Sequence, residues 1–106
     1  AVKGKIVCFN APFTSYGQTV AYRTGGASRA AKQGAVAVLV RSVGPISLRT
    51  PHTGTLRYDP NAPQIPACAI TIEDAEMLQR MQSRGEAVRV SLYMEAKTLS
   101  DGQSFN

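Results

Sequence analysis

Gly34-Ala35-Val36-Ala37-Val38-Leu39-Val40 is the stretch that decides how this chain folds. Six apolar residues follow one glycine without a polar interruption, and Arg41 ends the run. A strand with one wet face alternates apolar and polar residues. An unbroken run of this length therefore predicts a strand covered on both faces, as in a parallel sheet. The residues before it, Thr24 to Gln33, are rich in alanine and predict a short helix. Thr24 or Ser28 is the expected cap of its start, and Gly34 supplies the left-handed turn that ends it. Further upstream, Lys5-Ile6-Val7-Cys8-Phe9 is a second apolar run. Strand, helix and buried strand make one right-handed crossover unit.

Working outward, Asn10-Ala11-Pro12 breaks the first strand, and residues 13–23 read as a connection anchored on the core by Phe13, Tyr16 and Tyr22. Beyond the buried strand, Arg41 to Gln64 is a long irregular segment holding Pro45, Pro51, Gly54, Pro60 and Pro63. Loops of this length inside a compact domain are uncommon and tend to carry function. Ile65-Pro66-Ala67-Cys68-Ala69-Ile70 predicts a third strand, with Pro66 near its start where a missing donor costs least. Thr71 then caps a helix that reaches about Arg84 and stops at Gly85. Asp74 gives an acidic capping box, Glu73 suits the helix dipole, and Ile72, Ala75, Leu78 and Met81 share one face. Ala87 to Met94 alternates, with Val88, Val90, Leu92 and Met94 opposite Arg89, Ser91 and Tyr93, which predicts a half-exposed antiparallel strand. Residues 96–106 are polar and read as an exit linker.

A chain of 106 residues with 43% hydrophobic and 18% charged content is expected to form one domain over residues 1–106. It opens at Ala1 without an initiator methionine and so reads as an excised piece of a longer protein. No apolar run is long enough to span a bilayer. The net charge of +5 comes from basic residues that are scattered rather than clustered or interleaved with aromatics, which argues against a nucleic-acid groove. A zinc site needs three or four ligands brought together, whereas this chain has one histidine, two cysteines and neither an HExxH nor a CxxC motif. His52 lies between Pro51 and Thr53 with nothing local to orient it as a base. Glu73, Asp74 and Glu76 sit where the helix dipole favours carboxylates and need no catalytic role. Cys8 and Cys68 both fall in apolar strand text, which favours two buried thiols over a disulfide and leaves both open. The isolated chain does not read as an enzyme.

This order of elements resembles the protease-associated domain family. The family's Gly-Lys-Ile-Val segment is matched by Gly4 to Val7, its Ala-Ala-Lys-x-Gly-Ala by Ala30 to Ala35, and its Ile-Pro strand leading into a helix by Ile65 to Asp74. Within that family the chain looks like the version found in zinc peptidases of the carboxypeptidase Q, or plasma glutamate carboxypeptidase, type. The carrying segments are Tyr22-Arg23-Thr24-x-Gly26-Ala27, Arg41-Ser42-Val43, Pro51-His52-Thr53-Gly54, Ile70-Thr71-x-Glu73-Asp74-Ala75-Glu76-Met77 and Ser104-Phe105-Asn106.

The resemblance implies an α/β fold of the swivelling three-layer β/β/α kind, a parallel sheet with two helices plus antiparallel strands. It also implies an accessory role without catalytic, cofactor-binding or metal residues, in a secreted or lysosomal di-zinc dipeptidase. Zinc would sit in the parent peptidase domain, and the expected partners are that domain, a peptide substrate or a second subunit, with no nucleic acid and no membrane span. One departure stands out. The family usually has a strand before its Gly-Lys-Ile-Val segment, whereas only three residues precede Gly4, so a sheet edge is expected to lie open. The residues expected to touch substrate or partner are in the long loop: Arg49, His52, Thr53, Arg57 and Tyr58, with arginine suited to a peptide carboxylate. A free-standing protein-interaction module and a hydrolase built on His52 are the competing readings.

Overall fold

In a computed structural model of the chain, which describes residues 1–46 and 48–105, the elements run β1 (Ile6–Phe9), α1 (Tyr16–Lys32), β2 (Ala37–Arg41), β3 (Ala67–Ile70) and α2 (Ile72–Ser83). β2 is the middle strand of a three-stranded parallel sheet in the order β1-β2-β3. Its first four residues are buried, and Val38 has 0% of its surface exposed. The unbroken apolar run is thus explained by cover on both faces.

Alternation along the strands sorts side chains between those faces. Val7, Phe9, Val38, Val40 and Ala67 share a cluster with Ala27 and Ala30 of α1 and with Leu56, Tyr58 and Ile65 of the long loop. Ile6, Cys8 and Leu39 line a hollow of about 930 Å3 that Ala75 and Leu78 of α2 also border. Both crossovers, β1 to β2 and β2 to β3, step the same way across the sheet. Right-handedness therefore places α1 and the loop on one face and leaves the other for α2. In register, Cys8 pairs with Leu39 and Leu39 with Cys68. The two thiols stand two strand spacings apart, about 9.6 Å, beyond the roughly 7 Å Cα limit of a disulfide, and both are free.

α1 is longer than the sequence predicts. It starts at Tyr16, capped by Ser15, whose side chain accepts from the Gln18 N–H at 3.4 Å. Residues 16–23 are therefore helix rather than connection, and neither Thr24 nor Ser28 is a cap. The glycine pair Gly25-Gly26 lies inside the helix, where tertiary packing overrides propensity. A Cβ on Gly26 would stand 2.7 Å from Cε2 of Phe9, so the helix reaches the sheet only without one. The helix ends as expected at Gly34, with φ of +88°. α2 also follows its signals: Thr71 Oγ1 accepts from the Asp74 N–H at 3.0 Å, and Gly85 takes φ of +79°.

The expected strand at 87–94 does not form; no residue from 86 to 105 lies in a helix or strand. Val88 and Val90 border the hollow beside Ile6 and Cys8, while Tyr93 is 85% exposed. Alternation prescribes a half-buried surface, but a strand also needs a ladder partner, and β1 lies across the hollow. The described residues therefore make an α/β arrangement of one parallel sheet with a helix on each face, without the antiparallel strands. No described helix is long and apolar enough to cross a membrane.

Candidate functional site

Ligands of open parallel sheets bind outside the carboxyl ends of the strands. Here the residues just past those ends are Asn10, Ser42 and Thr71. Arg41, the last residue of β2, links the end of β1 to α2. Its Nη1 donates to Asn10 Oδ1 at 3.1 Å, and its Nη2 lies 3.6 Å from Glu76 Oε1 on α2. Ser42 is buried and acts as the joint of the loop. Its backbone N–H and its hydroxyl both donate to the Ile70 carbonyl, at 3.0 and 2.7 Å, and its Oγ accepts the His52 N–H at 2.7 Å.

The loop is pinned at further points. The Arg49 N–H donates to Glu73 Oε1 at 3.0 Å, with Arg49 in the left-handed region at φ of 52°. The Arg57 N–H donates to the Thr24 carbonyl at 2.9 Å, and the Asp59 N–H to Ser28 Oγ at 2.8 Å. Lys32 Nζ meets Asp59 Oδ2 at 2.5 Å. That hydrogen bond, helped by the Asn61 N–H, holds the Asp59 carboxyl below its ordinary range.

Under the start of this loop is a hollow of about 380 Å3 lined by Phe13, Tyr16, Val43, Ile46, Leu48, His52 and Ile72 among others. Ile46 and Leu48 are 68% and 70% exposed, so the loop displays apolar side chains instead of burying them. The polar backbone of the site is largely occupied by the pins. What remains is an apolar rim with one imidazole, suited to seating an apolar or peptide-like group.

Of the five expected site residues, His52 lines this hollow, held by its backbone; among the described residues no hydrogen bond orients its imidazole. Arg49 is exposed beside the first turn of α2, and Thr53 is exposed on the loop. Arg57 is exposed but fastened to the middle of α1. Tyr58 is half-buried in the core cluster, and its hydroxyl donates to the Ile65 carbonyl at 2.6 Å, which makes it a packing residue. The five are therefore not gathered into one constellation.

Reading the sequence for chemistry missed Ser42 and Arg23. Arg23 Nη2 donates to Tyr16 Oη at 3.0 Å, and the guanidinium carbon stands 5.8 Å from the Tyr16 ring centroid. Tyr16 and Arg23 are seven residues apart, two helical turns, which puts them on one face; an earlier helix start would have revealed the pair. The same guanidinium presses on Gly54, where a Cβ would lie 2.5 Å from Nη2. Two separate sequence segments, Tyr22-Arg23-Thr24 and Thr53-Gly54, thus meet in space.

Among the described residues no group of three or more His, Cys, Asp or Glu side chains could hold a metal ion. Burial, and secondarily the neighbouring Cys68, pushes the Cys8 thiol above its ordinary pKa, and burial does the same to Cys68. Neither carries the low pKa of a nucleophilic thiol.

No protein-family model matches the chain. Curated relatives do. The chain is 54% identical over 104 residues to carboxypeptidase Q of Xenopus laevis, 52% to that of Pongo abelii and 51% to that of Homo sapiens. Each match takes in 98% of this chain and 22% of the relative, so the chain spans about a fifth of their length. Its fold is similar to the crystal structure of a peptidase M28 precursor from Shewanella amazonensis SB2B, with a TM-score of 0.77 and 36% identity over 81% of this chain and 21% of that one. Along nearly its whole length the chain is similar to one segment of carboxypeptidase Q, and over most of it to one segment of a peptidase M28 precursor.

Proposed function

We propose that this chain is the protease-associated accessory domain of a carboxypeptidase Q-like zinc dipeptidase of an extracytoplasmic compartment. It would bring no catalytic group of its own and use loop 42–66 to shape substrate access or to pack against the peptidase domain or a second subunit. The carrying observation is the match over 98% of this chain to only 22% of carboxypeptidase Q. The site supports the reading: a loop pinned to both helices displays Ile46 and Leu48 to solvent above the hollow that His52 borders. In this reading residues 1–106 are one domain with 96–106 as its exit, and zinc belongs to the peptidase domain. The swivelling three-layer arrangement would be completed when residues 87–94 find a strand partner in the longer protein.

The test is kinetic and uses the whole peptidase. If Arg49 and Arg57 meet the substrate carboxylate, replacing both with alanine raises KM for dipeptides about tenfold, the loss of one charge-assisted hydrogen bond, with kcat little changed. Unchanged kcat/KM removes substrate contact and leaves packing, which Ile46→Asp with Leu48→Asp would then report as a loss of dimer mass in sedimentation. Dipeptidase activity of the 106-residue chain with added zinc would overturn the accessory reading altogether.

A further inference from the structure

We propose that Arg23, beneath the irregular segment 53–55 (here called the turn), is a binding site for a carboxylate. The inference goes beyond the peptidase reading and does not depend on it.

A guanidinium carries five N–H donors and is never neutral in a protein. Among the described residues one acceptor meets Arg23, the Tyr16 hydroxyl at 3.0 Å. Its Nε and Nη1 are buried and have no hydrogen-bond partner among the described residues. Charged donors shut away from water without acceptors are costly, so such a group marks a place where an acceptor comes and goes. The surroundings do not supply one. The ion pairs among the described residues are Lys32–Asp59, Arg41–Glu76 and Arg84–Glu86, and none involves Arg23, Arg29 or Arg57. Arg57 is joined through its backbone N–H to the carbonyl of Thr24, next in sequence to Arg23, and brings no carboxylate to it.

The cover over Arg23 is built to lift. His52 is pinned on one side, Arg57 is pinned on the other, and Leu56 is packed into the core. Thr53, Gly54 and Thr55 between them make no hydrogen bond to any described residue. Gly54 lies directly on the guanidinium, where any side chain would overlap it, so the turn closes only because residue 54 is glycine. A carboxylate is the group that a planar guanidinium meets best, with two acceptor oxygens and one charge to match. When the turn lifts, the ligand takes the donors that are left over in the closed form, and Tyr16 keeps the guanidinium in place.

The experiment uses the 106-residue chain, 15N-labelled, with the Arg23 Nε–H resonance identified by its absence in Arg23→Lys. Acetate is titrated at constant ionic strength against chloride. The expected result is a saturable downfield movement of the Arg23 Nε–H alone, with the Arg29 and Arg57 side-chain resonances unmoved. Arg23→Lys, which loses the forked donors, binds about tenfold more weakly by the loss of one charge-assisted hydrogen bond, read in both proteins from the backbone amide resonances of residues 53–55. Gly54→Ala holds the turn off the arginine, so acetate binds severalfold more tightly as the closed form no longer competes. Alanylalanine and N-acetylaspartate amide then separate two sources of the same chemistry, a terminal carboxylate and an acidic side chain, and a saturable response to either supports the site. A response that does not saturate, an equal response to chloride, or tighter binding of inorganic phosphate overturns it. The wild-type titration decides the matter even if a variant does not fold.

Discussion

Replacing Ser42 with alanine isolates the joint that holds the loop to the sheet. The hydroxyl makes two short hydrogen bonds, donating to the Ile70 carbonyl and accepting from the His52 N–H, both at 2.7 Å. Each such bond contributes about 1 kcal/mol net. The Ile70 carbonyl keeps the Ser42 N–H at 3.0 Å, and His52 is exposed, so its freed N–H can reach water. Neither group is left orphaned, and the expected cost is about 2 kcal/mol rather than the larger penalty of stranded polar atoms. With a urea m-value of about 1.5 kcal/mol/M, typical of a small domain, the unfolding midpoint falls by roughly 1 M with the slope unchanged. Amide exchange at His52 quickens by at least tenfold, while Val38 in the middle strand follows only the global change. A midpoint that moves less than about 0.3 M, together with unchanged exchange at His52, would refute the reasoning that this hydroxyl fastens the loop.

Gly34→Ala is expected to cost about 1–2 kcal/mol, because φ is +88° there and the new Cβ would press on Lys3 at 3.2–3.3 Å; thermal unfolding that is unchanged would contradict this. Asp59→Asn tests the Lys32 pair. The folded-state carboxyl is held below its ordinary value of 3.8, so its contribution is present above that pH and fades as acid protonates the folded form. The wild-type advantage over Asp59→Asn should therefore be flat near neutrality and fade only as the pH falls below 3.8 and acid protonates the folded form, read by urea midpoints along a pH series. Cys8 and Cys68 should both titrate as free thiols after denaturation and react slowly in the native chain at pH 8, faster as pH rises, since burial lifts both pKa values. A loss of two mass units relative to the reduced chain would show a bridge and contradict the register.

The parts of the fold legible in the sequence are those that local chemistry dictates. The apolar run at 35–40, the left-handed glycines Gly34 and Gly85 and the Thr71 cap all act within a few residues, and each stands where its signal placed it. The start of α1 was hidden because Gly25 and Gly26 weaken helix propensity, and what overrides them is the Phe9 ring, seventeen residues from Gly26 in sequence. The stretch 87–94 misled for the opposite reason: its alternation is real, but a strand is a relation between two segments, and the second is not among the described residues. How the candidate site is assembled is less legible than the fold. The loop was singled out for its length and prolines, and His52 does border the hollow beneath it. Arg57 and Tyr58 turned out to be fastened to α1 and the core, while Ser42 and Arg23 do work that only long-range contacts reveal.

The pins of the loop share a property with an evolutionary consequence. At Arg49, His52, Arg57 and Asp59 the loop contributes its backbone N–H, and the acceptors are Glu73, Thr24 and Ser28 on the helices and Ser42 at the root of the loop. An amide proton is present whichever side chain the residue carries, proline excepted. The identities of loop residues are therefore largely uncoupled from their anchorage, and recognition can drift without loosening the mount. Variation should concentrate at loop side chains such as Ile46, Leu48 and Thr53, while the hydroxyls of Ser28 and Ser42 resist it. A library randomised at those loop positions would keep its fold, which makes this segment a natural frame for displaying peptides of new specificity.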